Sequence, residues 1–212
     1  FHWPFSFYIL ISMTLFQKNH KVLPNLIVIG ARKCATTSLH YYLSLHPDVY
    51  MSVKCKELNY FVEEQCWEKG LSWYRKQFPA SATVRGESSP NYTRFPKLKG
   101  VPKRMYATIP EAKLIYMVRD PIEQILSAYY HDFKGGAEDR PFEEIMESDS
   151  ARMPYIHDAS YYFQIQQFLD YYAKEQILVI STQDLKQKPF ETMAHGASSP
   201  PPAASSPTSA RP

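Results

Sequence analysis

Apolar and polar positions follow two rhythms along the chain, and the changes of rhythm mark its elements. Leu26 to Ile29 is an unbroken, largely β-branched run that stops at Gly30, the pattern of a strand buried on both faces. From Thr36 the period lengthens. Leu39, Tyr42, Leu43 and His46 fall near helical spacing over 36–45, and Pro47 ends the helix. Val49 to Met51 reads as a short strand, and Lys56 to Phe61 as the lead into a helical stretch. Gly70 to Phe78 is again helical, with Leu71, Tyr74 and Phe78 on one face. Val84 to Glu87 is a short strand before the turn Ser89-Pro90-Asn91, and Val101 to Ile109 is a helix closed by Pro110. Lys113 to Val118 is a second clear buried strand, and Pro121 opens a helix that runs to about Phe133. Helices are expected at 142–148 and 161–174, and Ile177 to Ser181 is the last strand.

Strands alternating with helices predict an α/β domain, a P-loop-like three-layer fold with a central parallel sheet flanked by helices. Ligands in such sheets gather at the carboxyl ends of the strands. The polar loops after Ile29 and after Val118 are therefore expected on the ligand side. The domain spans 21–193. Residues 1–20 read as an N-terminal extension whose apolar stretch, Phe5 to Phe16, is too short for a stable membrane span. Residues 194–212 are nearly all Ala, Ser and Pro and read as a disordered tail.

Composition narrows the function. The chain has 212 residues, 44% of them hydrophobic, enough for one domain with a real core. Its 24 Lys and Arg against 21 Asp and Glu are too evenly balanced for a nucleic-acid binder, and suit a protein that handles phosphates and sulfates. Cys34, Cys55 and Cys66 make neither a disulfide framework nor a close C-x-x-C pair, so no metal site is expected.

Two loops carry candidate chemistry. Gly30 to Ser38 reads GARKCATTS and joins a strand to a helix N-terminus, where free backbone N–H groups and the helix dipole attract anions. Lys33 adds a full charge there, and Thr36, Thr37 and Ser38 add hydroxyls; an ordinary capped turn is the alternative. Against the pattern G-x-x-x-x-G-K-[ST], Gly30 matches, Ala35 replaces the second glycine and Thr36 replaces the lysine. A P-loop kinase of a small metabolite, which needs that lysine and Mg²⁺, is thus the disfavoured alternative. Arg119 stands at the end of the second buried strand, and Ser127 lies about two turns into the next helix. Both can reach one phosphate.

Gly30-Ala31-Arg32-Lys33-Cys34-Ala35-Thr36-Thr37-Ser38-Leu39 resembles the 5′-phosphosulfate loop of sulfotransferases that use 3′-phosphoadenosine 5′-phosphosulfate (PAPS), in the style K-x-G-T-T-x-L of the heparan-sulfate-type and related bacterial enzymes. Arg119-Asp120-Pro121 through Ser127-Ala128-Tyr129 resembles their 3′-phosphate motif. His46-Pro47-Asp48-Val49, Lys56-Glu57-Leu58-Asn59-Tyr60-Phe61, Gly70-Leu71-Ser72-Trp73-Tyr74 and Gly86-Glu87-Ser88-Ser89-Pro90-Asn91-Tyr92 extend the similarity over roughly Leu23 to Met193. The resemblance implies PAPS as donor, 3′,5′-adenosine diphosphate as product, no metal, and an in-line transfer to a hydroxyl or amine of a small-molecule or glycan acceptor. It implies cofactor contacts from Arg32, Lys33, Cys34, Ala35, Thr36, Thr37, Ser38, Arg119 and Ser127. Lys33 would also serve catalysis, and Glu57 would be the base.

Glu87 is the runner-up base and a candidate acceptor contact, as are Trp73 and Tyr92, which could line the acceptor cleft. His40 and His131 are weaker candidates. Two departures stand out. Ala35 replaces a common glycine, which matters if the position needs positive φ. Nothing matches the C-terminal loop rich in Gly, Arg, Lys and Tyr, so the chain reads as C-terminally truncated, and a non-catalytic fragment is a further alternative. A cytoplasmic location is expected, or the Golgi lumen in a eukaryote.

Overall fold

Five parallel strands carry the fold: β1 (Leu26–Gly30), β2 (Val49–Met51), β3 (Val84–Ser88), β4 (Lys113–Val118) and β5 (Ile177–Ser181). The structure is a computed structural model and describes residues 22–187; the expectations for 1–20 and for 194–212 lie outside the described residues. The strands form one sheet in the order β2-β3-β1-β4-β5. β1 and β3 are buried along their whole length at the centre of a covered parallel sheet; β1 is an unbroken apolar run, while β3 carries Arg85 and Glu87 inside. β5 is an edge strand, and its Val179 is exposed.

Helices flank the sheet. They are α1 (Thr36–Ser44), α2 (Gly70–Arg75), α3 (Val101–Thr108), α4 (Pro121–Lys134), α5 (Phe142–Glu147), α6 (Asp149–Ala159), α7 (Tyr161–Leu169) and α8 (Thr182–Gln187). α1 packs on β1, β2 and β3 through Leu39 and Leu43. A second apolar cluster, with Ala128, Tyr129, Ile145, Ala151 and Tyr155 at its heart, joins α4, α5 and α6 beside the main core.

The topology sets the position of the cleft. From β1 the chain turns through α1 toward β2 on one side, and from β4 it proceeds to β5 on the other. The carboxyl ends of β1 and β4 therefore flank the point where the winding reverses, and a crevice opens there. Gly30 is required at that point. A Cβ on it would sit 1.9 Å from Thr93 Oγ1, so only glycine lets the Pro90–Thr93 turn close over the end of β1.

Several local expectations change. Residues 56–61 form no helix; they are an irregular loop bonded to the end of β3, and the first helical turn after them is Trp67–Lys69. α2 ends at Arg75 and α7 at Leu169, both earlier than the apolar pattern suggested. α6 lies beyond the expected helices, and its sequence contains Pro154. The proline sits inside the helix nonetheless, and Ala151, Tyr155 and Ala159 bury one face at four-residue spacing. α8 was also unread.

Candidate active site

The loop after β1 is shaped by its backbone. Lys33 and Ala35 both lie in the left-handed region, with φ of 63° and 55°. Ala35 thus occupies the conformation that makes glycine common there, at a steric cost of about 1–2 kcal/mol for a side chain. The two residues turn the chain so that α1 begins at Thr36. No side chain caps that helix, and no acidic residue lies in its first turn. Its leading N–H groups and the positive end of its dipole are left for an external anion.

The junction after β4 is built differently. Asp120 caps α4 by accepting from Glu123 N at 3.0 Å, and Pro121 fills the first turn. With two carboxylates at its start, this helix end repels anions. Arg119 instead supplies the charge. Its guanidinium donates from Nη1 to the Lys33 carbonyl oxygen at 3.3 Å and from Nη2 to Glu123, and its Nε is buried without a hydrogen-bond partner among the described residues. The Nη1 bond brings the two junctions together.

Between them lies a cleft of about 610 Å³, a size that accommodates a nucleotide. Arg32, Lys33, Ala35, Thr36 and Thr37 line it from the first loop, Glu57 from the loop after β2, and Arg119 and Ser127 from the second junction. Lys56, Arg94 and Lys186 add further positive charge, and Glu57 is the one carboxylate of the lining among the described residues. Cations thus outnumber carboxylates along the lining. Burial, then the Arg32 guanidinium, hold the Lys33 ammonium below the usual lysine range. A bound polyanion would relieve that repulsion. With the unpartnered Arg119 Nε and the uncapped α1, it forms the physical case that the residues fit a nucleotide bearing anions at both ends.

Arg32 and Arg94 are held in place by carboxylates. Asp132 on α4 pairs with Arg32, and Asp158 on α6 lies 3.1 Å from Arg94 Nε and 3.7 Å from Arg32. Lys56 Nζ reaches Glu57 Oε1 at 2.9 Å and Thr36 Oγ1 at 3.4 Å, linking the candidate base to the anion loop.

Other expected residues lie elsewhere. Cys34 is buried under the loop against Tyr161, and burial pushes its thiol up to about 11, so its side chain is an inert packing group. Ser38 is exposed on α1 and outside the lining. Glu87 does not face the cleft. It is fully buried, accepts hydrogen bonds from Tyr74, Tyr92 and Ser89, and burial raises its carboxyl above the ordinary range. Tyr92 is buried with its hydroxyl on Glu87, and Trp73 packs half-buried on the core with Lys69 Nζ 4.5 Å above its ring. Neither Glu87 nor these two rings line the cleft, because both faces of β3 are covered. His131 lines it, while His40 bonds Ser88 Oγ at 2.9 Å behind it. Arg94, Asn91, Thr182 and Lys186 were not foreseen as lining residues.

A cleft of this kind at the switch point of a parallel sheet defines an α/β protein whose ligand site lies at the carboxyl ends of its strands. Residues 23–197 match the family model described as "Sulfotransferase domain", and the chain belongs to that family. The solved sulfotransferase from Alicyclobacillus acidocaldarius superposes with a TM-score of 0.68 at 28% identity, covering 80% of this chain and 77% of that one. A Caenorhabditis elegans bifunctional heparan sulfate N-deacetylase/N-sulfotransferase is 29% identical over 185 residues, 80% of this chain and 21% of that protein. The membrane-associated sulfotransferase kil1 of Dictyostelium discoideum is 39% identical over 113 residues, 51% of this chain and 23% of that protein. The chain thus spans about a fifth of the length of these curated relatives. No helix among the described residues is long and apolar enough to cross a membrane. The expected cytoplasmic location gains no support from relatives of which one is named as membrane-associated.

Proposed function

We propose that the chain binds PAPS in this cleft and transfers its sulfuryl group to a hydroxyl or amine of a glycan acceptor. The observation that carries the reading is the Arg119–Lys33 contact, which sets two anion anchors on either side of one crevice. The uncapped α1 N-terminus, Lys33, Thr36 and Thr37 would hold the phosphosulfate end, and Arg119 with Ser127 the 3′-phosphate. Glu57, exposed at the cleft and oriented by Lys56, would take the proton of the attacking acceptor group. Lys33 and Lys56 would place positive charge where the leaving phosphate gains its negative charge. The glycan acceptor is supported by the names of the curated relatives, several of which act on heparan sulfate.

The kinase alternative has little to stand on. Thr36 occupies the place of the phosphate-binding lysine, and Glu57 is engaged with Lys56. The test is transfer from PAPS to a de-N-acetylated heparan-type glycan. Glu57→Gln should lower kcat by roughly a hundredfold or more while leaving the affinity for 3′,5′-adenosine diphosphate unchanged. Unchanged kcat would remove Glu57 as base. Tighter binding of ATP–Mg²⁺ than of 3′,5′-adenosine diphosphate by the wild type would overturn the donor.

A further inference from the structure

Glu87 takes no part in the chemistry described so far, yet it is among the most completely buried ionisable groups in the fold. A carboxylate in that position is costly. Apolar side chains of similar size commonly serve stability as well or better. What an apolar side chain lacks is acceptors, and here three hydroxyl donors converge on them. Tyr74 and Tyr92 donate to Oε1, the latter at 2.9 Å, and Ser89 Oγ donates to Oε2 at 2.7 Å. The same Ser89 Oγ accepts from the backbone N–H of Asn59 at 3.0 Å, and the Leu58 N–H faces the Glu87 carboxylate. One residue along, Ser88 N donates to the Lys56 carbonyl at 3.2 Å.

These bonds straddle Glu57. Lys56 before it and Leu58 and Asn59 after it are all tied to the end of β3, and Leu58 is buried. Asn59 adopts a φ of 47°, in the left-handed region, which asparagine tolerates better than most residues and which turns the loop at this point. Below the loop, Tyr60 stacks on Tyr74 at 4.2 Å, so the rings that donate to Glu87 also bed the loop. The outward side chains of this segment, Lys56 and Glu57, are the ones that line the cleft.

We propose that Glu87 is a positioning residue: through Ser89 and the backbone of Leu58 and Asn59 it fixes the loop that presents Lys56 and Glu57 to the cleft. The inference rests on the reading of that cleft as the donor site. A fixed loop matters because a base misplaced by about an ångström can lose on the order of a hundredfold in rate.

The test is a double-mutant cycle read by calorimetric binding of 3′,5′-adenosine diphosphate to the wild type, Glu87→Gln, Lys56→Ala and the double variant. Amide exchange is followed in parallel. Glu87→Gln keeps the shape but turns one acceptor into a donor facing Ser89 and the Leu58 N–H. It should weaken binding about threefold in the wild type and have no further effect when Lys56 is already Ala, because the loss is transmitted through that side chain. Exchange at Leu58 and Asn59 should rise roughly tenfold relative to the β1 amides. Ser89→Ala retains the carboxylate and should give the same local exchange signature, so it decides the matter if Glu87→Gln does not fold. Independent effects of the two substitutions, with exchange at Leu58 and Asn59 rising no more than in β1, would overturn the proposal. If the wild type itself fails to bind the nucleotide, the donor reading falls, and the exchange ratio alone then decides the positioning role.

Discussion

The β1–α1 and β4–α4 junctions deliver anion-binding groups to one cleft by opposite means. At the first, two residues of positive φ open an uncapped helix N-terminus, and on the proposed reading the backbone would do most of the binding. At the second, Asp120 and Glu123 close the helix end, and the task passes to the side chains of Arg119 and Ser127. Capping decides between the two designs. A free N-terminus is a site in itself, whereas a capped one must borrow a cation. The backbone design should tolerate side-chain changes other than loss of the Lys33 charge, and respond to changes of φ. The side-chain design should fail by single deletions and should depend on whatever holds the cations in place.

The largest expected effect concerns the other cations of the cleft, which lie beside both junctions. Asp158 is buried and serves Arg94 and Arg32 together. Asp158→Ala leaves both guanidiniums beside each other without this counter-charge. It should destabilise the protein by about 3 kcal/mol, at the low end for a broken buried pair because both arginines border the cleft. Denaturant unfolding measures it, and a loss below about 1 kcal/mol would mean that cleft water already solvates the arginines.

A smaller effect, of opposite sign, sharpens the backbone half. Ala35→Gly removes the Cβ from a left-handed position and should raise stability by roughly 1 kcal/mol, with nucleotide affinity unaltered. A thermal melt shows it. Destabilisation would mean that the loop does not hold that conformation.

Much of this was legible in the sequence, and the exceptions have physical causes. β1 and β4 announce themselves because a strand covered on both faces must be continuously apolar, and the loops that follow them carry their own donors. Lys33, Thr36, Thr37, Arg119 and Ser127 could be placed on the ligand side from that rule alone, whereas Glu57, in the loop after β2, came only from the resemblance of its segment. Glu87 and Tyr92 could not. Glu87's place before the Ser89-Pro90 turn suggested a cleft, while its partners, Tyr74, Tyr92 and Ser89, close around it in the fold. Arg94 and Asp158 pair across 64 residues, and the helix carrying Asp158, with Pro154 inside it, was not among the expected elements. Ala151, Tyr155 and Ala159 at four-residue spacing were the available signal.

The central claim is that one nucleotide spans both junctions, and it is tested most directly by titrating 3′,5′-adenosine diphosphate and 5′-AMP against the wild type, Arg119→Ala and Lys33→Ala. The wild type should prefer the diphosphate by roughly tenfold to a hundredfold, the worth of a charge-assisted phosphate contact. Arg119→Ala should abolish that preference, and Lys33→Ala should weaken both ligands alike. A preference that survives Arg119→Ala would contradict the account.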